Sequence, residues 1–431
     1  MKKVAFHNLG CKVNAYEIEA MQQLLAENGY MVVPFDEKAD IYIINTCTVT
    51  NMADRKSRQM LHRARKKNPD AVIVAAGCYV QEKGNQADEC IDIIVGNNRK
   101  KDIAAILSQY ERENKGEVFD ARLDIGHTKE YEELSLAHTA GHTRAYIKIQ
   151  DGCDQFCSYC IIPFARGRIR SRSKENVMSE VRRLAENGYK EVVLTGIHLS
   201  SYGMDLGGES NSLLSLVMQI HEVSGIERIR LGSLEPRVIT EEFAEKLSLL
   251  TKVCPHFHLS LQSGCDATLR RMNRRYTSEE YYEKCCLLRK YFKNPALTTD
   301  IIVGFPGETK EEFEQSKAFV DKVNFYETHV FKYSRREGTK AADMDFQIPE
   351  EVKTKRSNEL LEMNARKKKA FENTLIGTVK EVLIEEEEVC NDGIYGIGHT
   401  REYVKIRQKL DRKQLNQMVN VEIESHLQII H

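Results

Sequence analysis

At 431 residues the chain is long enough for two or three domains. Its 63 basic and 64 acidic side chains nearly cancel to a net charge of −1, so bulk charge neither supports nor excludes a nucleic-acid partner; a local basic patch is required. The opening MKKVAFHNLGC breaks its apolar run at His7, excluding a signal peptide, and no apolar run approaches the roughly 18 residues of a membrane span.

These features predict a soluble, cytoplasmic protein. In that reducing compartment its 12 cysteines read as metal ligands or buried small hydrophobes rather than disulfides. Residues 1–116 form the first expected domain. Apolar runs Val4–Phe6, Ile41–Ile44 and Ala71–Ala76 lead to Cys11, Cys47 and Cys78, with helical patterns over Asn14–Asn28 and Asn51–Lys67 between them. That alternation predicts an open parallel sheet, whose ligands sit beyond the strand carboxyl ends. The three cysteines fall there and are expected to share one site, the alternative being three buried small residues. Cys90 lacks this placement and reads as structural.

Residues 117–138 are charged and aperiodic and read as a surface linker, with no chemistry assigned to His127 or His138. The next expected domain is 139–368. Its strand Ala145–Gln150 delivers DGCDQFCSYCIIPFARGRIRSR, in which Cys153, Cys157 and Cys160 are spaced three and two residues apart. Thiolates suit an iron–sulfur cluster or zinc. No nearby fourth Cys or His completes a zinc site. Further strands (Glu191–Thr195, Arg228–Leu231, His258–Leu261, Leu297–Val303, Thr328–Tyr333) alternate with helices over Lys174–Asn187, Thr240–Leu250, Ser278–Tyr291 and Lys310–Lys322. Such units build a full or partial barrel with its site at the strand carboxyl ends.

Strand ends offer Gly196, where a small residue admits close backbone approach, then Ser233 and Glu235, then Gln262. Asp300–Thr309, DIIVGFPGET, reads alone as a strand, turn and helix cap. Arg166, Arg168, Arg170 and Arg172 alternate, so an extended backbone would align their guanidinium groups for phosphate contacts. The bland reading is a solvated strand. His198 and His258 could in principle ligate a metal, but as strand-end histidines they read as hydrogen-bonding or packing residues. The third expected domain, 369–431, has short strand-like runs (Gly377–Glu385, Asp392–Gly398, Glu402–Ile406, Asn420–Ser425) and predicts a small antiparallel barrel. Its acidic run Glu385–Glu388 is unsuited to phosphate.

The Cys-x3-Cys-x2-Cys motif, with Tyr159 before its last cysteine, resembles the radical S-adenosylmethionine (SAM) superfamily. LGCKVNAYE, NTCTVT and AAGCYVQ extend the resemblance over essentially the whole chain to the methylthiotransferase family. The resemblance implies a 4Fe–4S cluster on Cys153, Cys157 and Cys160 that reduces SAM to a radical. It also implies an auxiliary 4Fe–4S cluster on Cys11, Cys47 and Cys78 that carries the inserted sulfur, which a second SAM methylates. It further implies SAM contacts from Tyr159, Arg274, Asp300, Gly304 and Pro306, and a tRNA-binding TRAM module at the C-terminus. Within the family the motifs are most similar to enzymes acting on N6-threonylcarbamoyladenosine 37 in the tRNA anticodon stem-loop. The alternatives are isopentenyladenosine, a ribosomal-protein aspartate, or a tRNA-binding iron–sulfur protein without turnover. An electron donor and a sulfur source are implied partners. The threonylcarbamoyl carboxylate calls for cations, for which Arg166, Arg168, Arg170, Arg335 and Arg336 are candidates. YSRREGTKA departs here from the family's YSPRPGTPA.

Overall fold

The structure is a computed structural model that describes residues 1–113, 116–136, 143–207 and 212–431. The first sheet is parallel throughout, in the order Met31–Val33, Lys3–Asn8, Ile41–Thr46, Val72–Gly77, Ile93–Val95, Phe119–Asp120. Ile41–Thr46 is buried along its whole length because helices cover both faces. Val4, Ile41, Ile43 and Val74 face one core, and Ala5, Tyr42, Ile44 and Ile73 the other, as a period of two requires. Helix Asn51–Lys67 starts at Thr50, whose hydroxyl accepts from the Ala53 amide at 3.1 Å.

The segment read as a linker is partly built into the fold. Phe119–Asp120 pairs with Ile93–Ile94, so the sheet continues past 116. Leu134 and Leu136 are buried against Tyr16 and Ala20. Isolated apolar residues in a charged stretch show no period, yet Leu134 and Leu136 find apolar cover. His127 is exposed beside Asp124; His138 lies outside the described residues.

The central strands are parallel except for the short Arg170–Ser171, which pairs antiparallel with Gln150–Asp151. Arg144–Asp151 pairs with Glu191–Gly196, which pairs with Arg228–Leu231. His256–His258, Ala296–Val303 and Glu327–Lys332 follow, joined to the first set by the Leu234–Leu259 bridge. The result is a partial barrel around one large apolar core. The strand expected over His258–Leu261 lies earlier, at His256–His258, and continues only through bridges. A helix over Glu350–Asn373 runs through the expected boundary at 369.

At the C-terminus an antiparallel half-barrel sheet has the order Lys405–Leu410, Gly393–Thr400, Val379–Cys390, Met418–Glu422. It packs on the strand-start end of the barrel. Arg228 donates to the Glu381 and His399 carbonyls at 2.7 and 2.8 Å, and Arg144 pairs with Glu385. The start of the acidic run therefore serves as an internal counter-charge.

Candidate active site

The loop after Arg144–Asp151 is fixed by backbone contacts. Cys153 N–H donates to the Gly167 carbonyl at 3.0 Å, Cys160 N–H to Cys157 at 2.9 Å, and Ser158 N–H to Met272 at 3.1 Å. Gly152, at φ +70°, sits so close to the returning chain that a Cβ there would fall 1.8 Å from the Arg168 carbonyl oxygen. Held this way, Cys153, Cys157 and Cys160 line one cavity of about 330 Å³ at the strand carboxyl ends. Burial pushes the Cys153 thiol up to about 11 and Cys160 up to about 12, each neighbouring cysteine adding to the shift. Such thiols become thiolates when a cation binds them.

Tyr159, Ser233, Glu235, Gln262, Arg274 and Asp300 line the same cavity. Gln262 has φ +72°, a left-handed conformation rare outside glycine. Arg274 donates to Cys157 Sγ at 3.4 Å, to the Ser260 carbonyl at 3.2 Å and to Tyr276 at 2.9 Å. Burial opposes its charge, but Tyr276, Tyr159 and Cys157 outweigh that and hold it firmly protonated. His198 also lines the cavity, and burial followed by Arg274 and Arg237 depresses it to about 4, so it is neutral at physiological pH. His258 Nδ1 hydrogen-bonds Thr298 Oγ1 at 3.0 Å, and its Nε2 lies 3.3 Å from an Asp300 carboxylate oxygen.

Gly196, Gly304 and Pro306 are not among the residues that line this cavity, whereas Ile197 and Ile302 are. A Cβ on Gly196 would meet Gln150 at 2.9 Å, and one on Gly304 would meet Lys353 at 2.3 Å, so both glycines serve packing. The DIIVGFPGET turn instead reaches the wall through Phe305, which packs edge-on to Tyr159 with ring centroids 6.4 Å apart. Its Glu308 accepts from Gly304 N–H at 2.7 Å and Arg356 at 2.6 Å, holding the turn closed.

The second cysteine set lies at the ends of adjacent strands. Cys11 caps helix Lys12–Glu27, Cys47 follows Ile41–Thr46, and Cys78 opens the short helix Cys78–Lys83. Gly10, at φ +106°, lets them close up; a Cβ there would sit 2.9 Å from Cys47 Cβ. Burial pushes the Cys47 thiol up to about 12, with Cys78 and Cys11 contributing as neighbours. Val49 and Thr50, just beyond Cys47, line the large cavity, so the first domain closes one side of it.

The arginine row is not a phosphate surface. Pro163 starts a helix at Ile162–Arg166 and Gly167 at φ +74° ends it, so the backbone is not extended at Arg166; Arg170–Ser171 is a short strand, but it pairs antiparallel with Gln150–Asp151 and its arginine is buried. Arg166 is fully buried. It donates to Cys78 Sγ at 3.2 Å, Asn14 Oδ1 at 2.7 Å, Glu17 Oε1 at 2.8 Å and Asp151 Oδ1 at 3.1 Å. Glu17 also pairs with Lys100 and Lys148 at 2.9 and 2.8 Å. Burial disfavours that carboxylate, but Arg166, Lys100 and Lys148 outweigh it and hold it well below the usual range. Arg170 is buried near Asp151, and Arg172 pairs with buried Glu180. Arg336 is likewise committed, to Asp54 at 2.6 Å and Thr48 at 2.6 Å, tying the two domains together. Only Arg168 of the row, and Arg335, are exposed.

Asn14 and Glu17 were not singled out by residue type. The available signal was their spacing: Cys11, Asn14 and Glu17 recur every three residues and share one helical face.

Neither cysteine set matches a single-ion site. Among the described residues the groups whose ligand atoms all lie within 4.8 Å are His62–Asp88–Cys90 and His258–Asp300–His329. Zn–S bonds of about 2.3 Å would draw three sulfurs that close. Three thiolates without a fourth protein ligand fit an iron–sulfur cluster with one open corner.

A Radical SAM superfamily model matches residues 147–320, and one described as uncharacterized protein family UPF0004 matches residues 3–96. The chain is 40% identical over 428 residues to the threonylcarbamoyladenosine tRNA methylthiotransferase MtaB of Bacillus subtilis, covering 98% of this chain and 94% of that protein. It is 35% identical to the tRNA-2-methylthio-N(6)-dimethylallyladenosine synthase of Acetivibrio thermocellus, covering 98% and 89%. Among solved structures the radical SAM methyltransferase TsrM of Kitasatospora setae aligns with a TM-score of 0.58 at 16% identity, covering 79% of this chain and 74% of that one, a likeness of fold. The chain belongs to the radical SAM tRNA methylthiotransferase family, transferases that use SAM and 4Fe–4S clusters.

Proposed function

We propose that this enzyme replaces the C2 hydrogen of N6-threonylcarbamoyladenosine 37 in tRNA with a methylthio group. The observation that carries this reading is the shared cavity, lined by Cys153, Cys157 and Cys160 from one side and by the segment after Cys47 from the other. Cys153, Cys157 and Cys160 would hold the cluster that binds SAM, and Cys11, Cys47 and Cys78 the auxiliary one. When bound, these groups supply a radical able to break an inert C–H bond and the sulfur and methyl that replace the hydrogen.

The chain's own part is to bind, orient and exclude water. Arg274, firmly cationic beside Cys157, suits the SAM carboxylate. Glu235 and Ser233 offer acceptors to its amino and ribose groups, and the Tyr159–Phe305 pair forms an apolar wall. With Arg166, Arg170 and Arg336 buried in ion pairs, the threonyl carboxylate falls to Lys332, which lines the cavity, and exposed Arg335 beside it. Lys332 is paired with Glu350 at 2.5 Å, but both side chains are half-exposed, and such a pair exchanges readily. Ile197, Ile302 and Phe331 also line the cavity and favour isopentenyladenosine as the second reading. The reading calls for an external reductant, a sulfur donor and a cytoplasmic setting with its tRNA.

The test is nucleoside mass spectrometry after anaerobic incubation with SAM, reductant, sulfide and both modified tRNAs together. A 2-methylthio product on threonylcarbamoyladenosine alone is expected. Product on isopentenyladenosine alone would replace the substrate and keep the chemistry.

A further inference from the structure

The geometry points to a nucleobase-stacking platform on the rim of the cavity, built from Phe156, Phe164 and Arg168, that takes an unpaired base flanking the target and its phosphate. The inference rests on the RNA-substrate reading above and specifies where the RNA is gripped.

Phe164 belongs to the short helix Ile162–Arg166, whose Ala165 and Arg166 are fully buried, yet its own ring is 52% exposed. No core cluster of the described residues takes it in. It meets Phe156 edge-on, with ring centroids 6.0 Å apart and planes at 83°. Phe156 has φ +47°, a left-handed backbone that aromatic residues rarely adopt. Asn273 stabilises that conformation by donating to the Phe156 carbonyl at 3.0 Å. Strained, externally braced residues of this kind cluster at ligand sites.

Arg168 completes the group. Its guanidinium lies 4.6 Å from the Phe156 ring centroid, and its side chain is 60% exposed, whereas Arg166 and Arg170 of the same row are fully enclosed. Its ion pair with Asp154, at 3.6 Å, is between exposed groups and exchanges readily. Gln155, Cys157 and Ile162, which interleave with these residues in sequence, line the cavity, so the platform adjoins its mouth. An exposed aromatic face backed by a cation is the chemistry that holds a single-stranded base and its phosphate, with no demand on sequence. A base delivered into the cavity must leave its stack, and its neighbours then need a new surface.

The test uses the full-length, anaerobically reconstituted enzyme and an anticodon stem-loop RNA carrying 2-aminopurine on one or the other side of the target. Wild type is expected to bind and to change the fluorescence of one flanking probe. Phe164→Ala should abolish that change and weaken RNA binding about 5- to 100-fold, while Phe164→Tyr restores both. Arg168→Ala should weaken binding and reduce the slope of log affinity against log salt by about one. Iron content and cluster absorbance equal to wild type report that each variant is folded. If wild type fails to bind the RNA, the substrate reading falls and the platform with it. If wild type binds but Phe164→Ala and Arg168→Ala match it in affinity and fluorescence, the platform is overturned and the substrate reading stands. Unchanged RNA affinity with slower SAM cleavage by a protein reductant alone would make this patch an electron-donor surface, and would overturn the platform too.

Discussion

Cys153, Cys157 and Cys160 come from a single loop, braced by main-chain hydrogen bonds and opening onto a cavity. Cys11, Cys47 and Cys78 come from three strand ends, and only the parallel sheet makes them neighbours. The first set is spaced within one loop, which Met272, Asn273 and Arg274 brace from a second segment. The second is backed by a buried ionic network in which Arg166, on the chain just after the first set, reaches Cys78, Asn14 and Glu17. A centre written locally is held mainly by backbone, with Arg274 reaching Cys157; a centre written across the fold is backed by side chains, and those link the two centres.

The comparison breaks most sharply at the cysteines. Cys78→Ala should lower methylthio product by more than about 100-fold while SAM cleavage to 5′-deoxyadenosine persists, since a ligand is lost from one centre only; chromatography of both products checks it. Retained methylthiolation would remove Cys78 from the auxiliary site.

Next is the network. Glu17→Gln leaves Arg166, Lys100 and Lys148 without their common carboxylate in a buried setting, which should cost about 3–5 kcal/mol. Denaturant unfolding measures this. Iron should be lost from the dispersed centre before the local one, and equal loss from both would contradict the distinction drawn above.

A second buried ion cluster, centred on Glu191, gives the contrast. Glu191 is surrounded by Arg230, Arg144 and Arg228; burial raises its pKa, but the arginines prevail and bring it from 4.5 down to about 2. A depressed carboxylate contributes stability that is fully present above about 4.5 and is lost as pH falls toward 2. The shift corresponds to about 3 kcal/mol. The Tm difference between wild type and Glu191→Gln should therefore shrink as pH falls through that window, and a constant difference would show that the carboxylate is not the titrating group. The smallest effect is expected at the local centre: Arg274→Lys keeps the charge but loses the planar fork and should weaken SAM binding about tenfold, read by calorimetry.

Much of this was legible in advance. Apolar runs ending in Cys11, Cys47 and Cys78 identified the strands, and the strand-end rule brought the cysteines together. Ser233, Glu235, Gln262, Arg274 and Asp300 do line one cavity. The arginine row does not form one open face because Pro163 and Gly167 set a helix and a turn at Arg166, and the short strand Arg170–Ser171 is paired inside the fold rather than open to solvent. The partners that bury Arg166, Arg170 and Arg336 lie far off in sequence, at Glu17, Asp151 and Asp54, and no local pattern announces them. Gly304 matched a motif, but its neighbour Lys353 comes from a helix the periodicity did not reveal.

The central claim is that the two cysteine sets hold separate iron–sulfur clusters facing one reaction space. Iron and acid-labile sulfide should be counted, with Mössbauer spectra, on reconstituted wild type and on variants in which Cys153, Cys157 and Cys160, or Cys11, Cys47 and Cys78, are all Ala. The account predicts the content of two 4Fe–4S clusters in wild type and of one in each variant, with SAM perturbing the spectrum only where Cys153, Cys157 and Cys160 remain. Full wild-type iron in the variant lacking Cys11, Cys47 and Cys78 would contradict it.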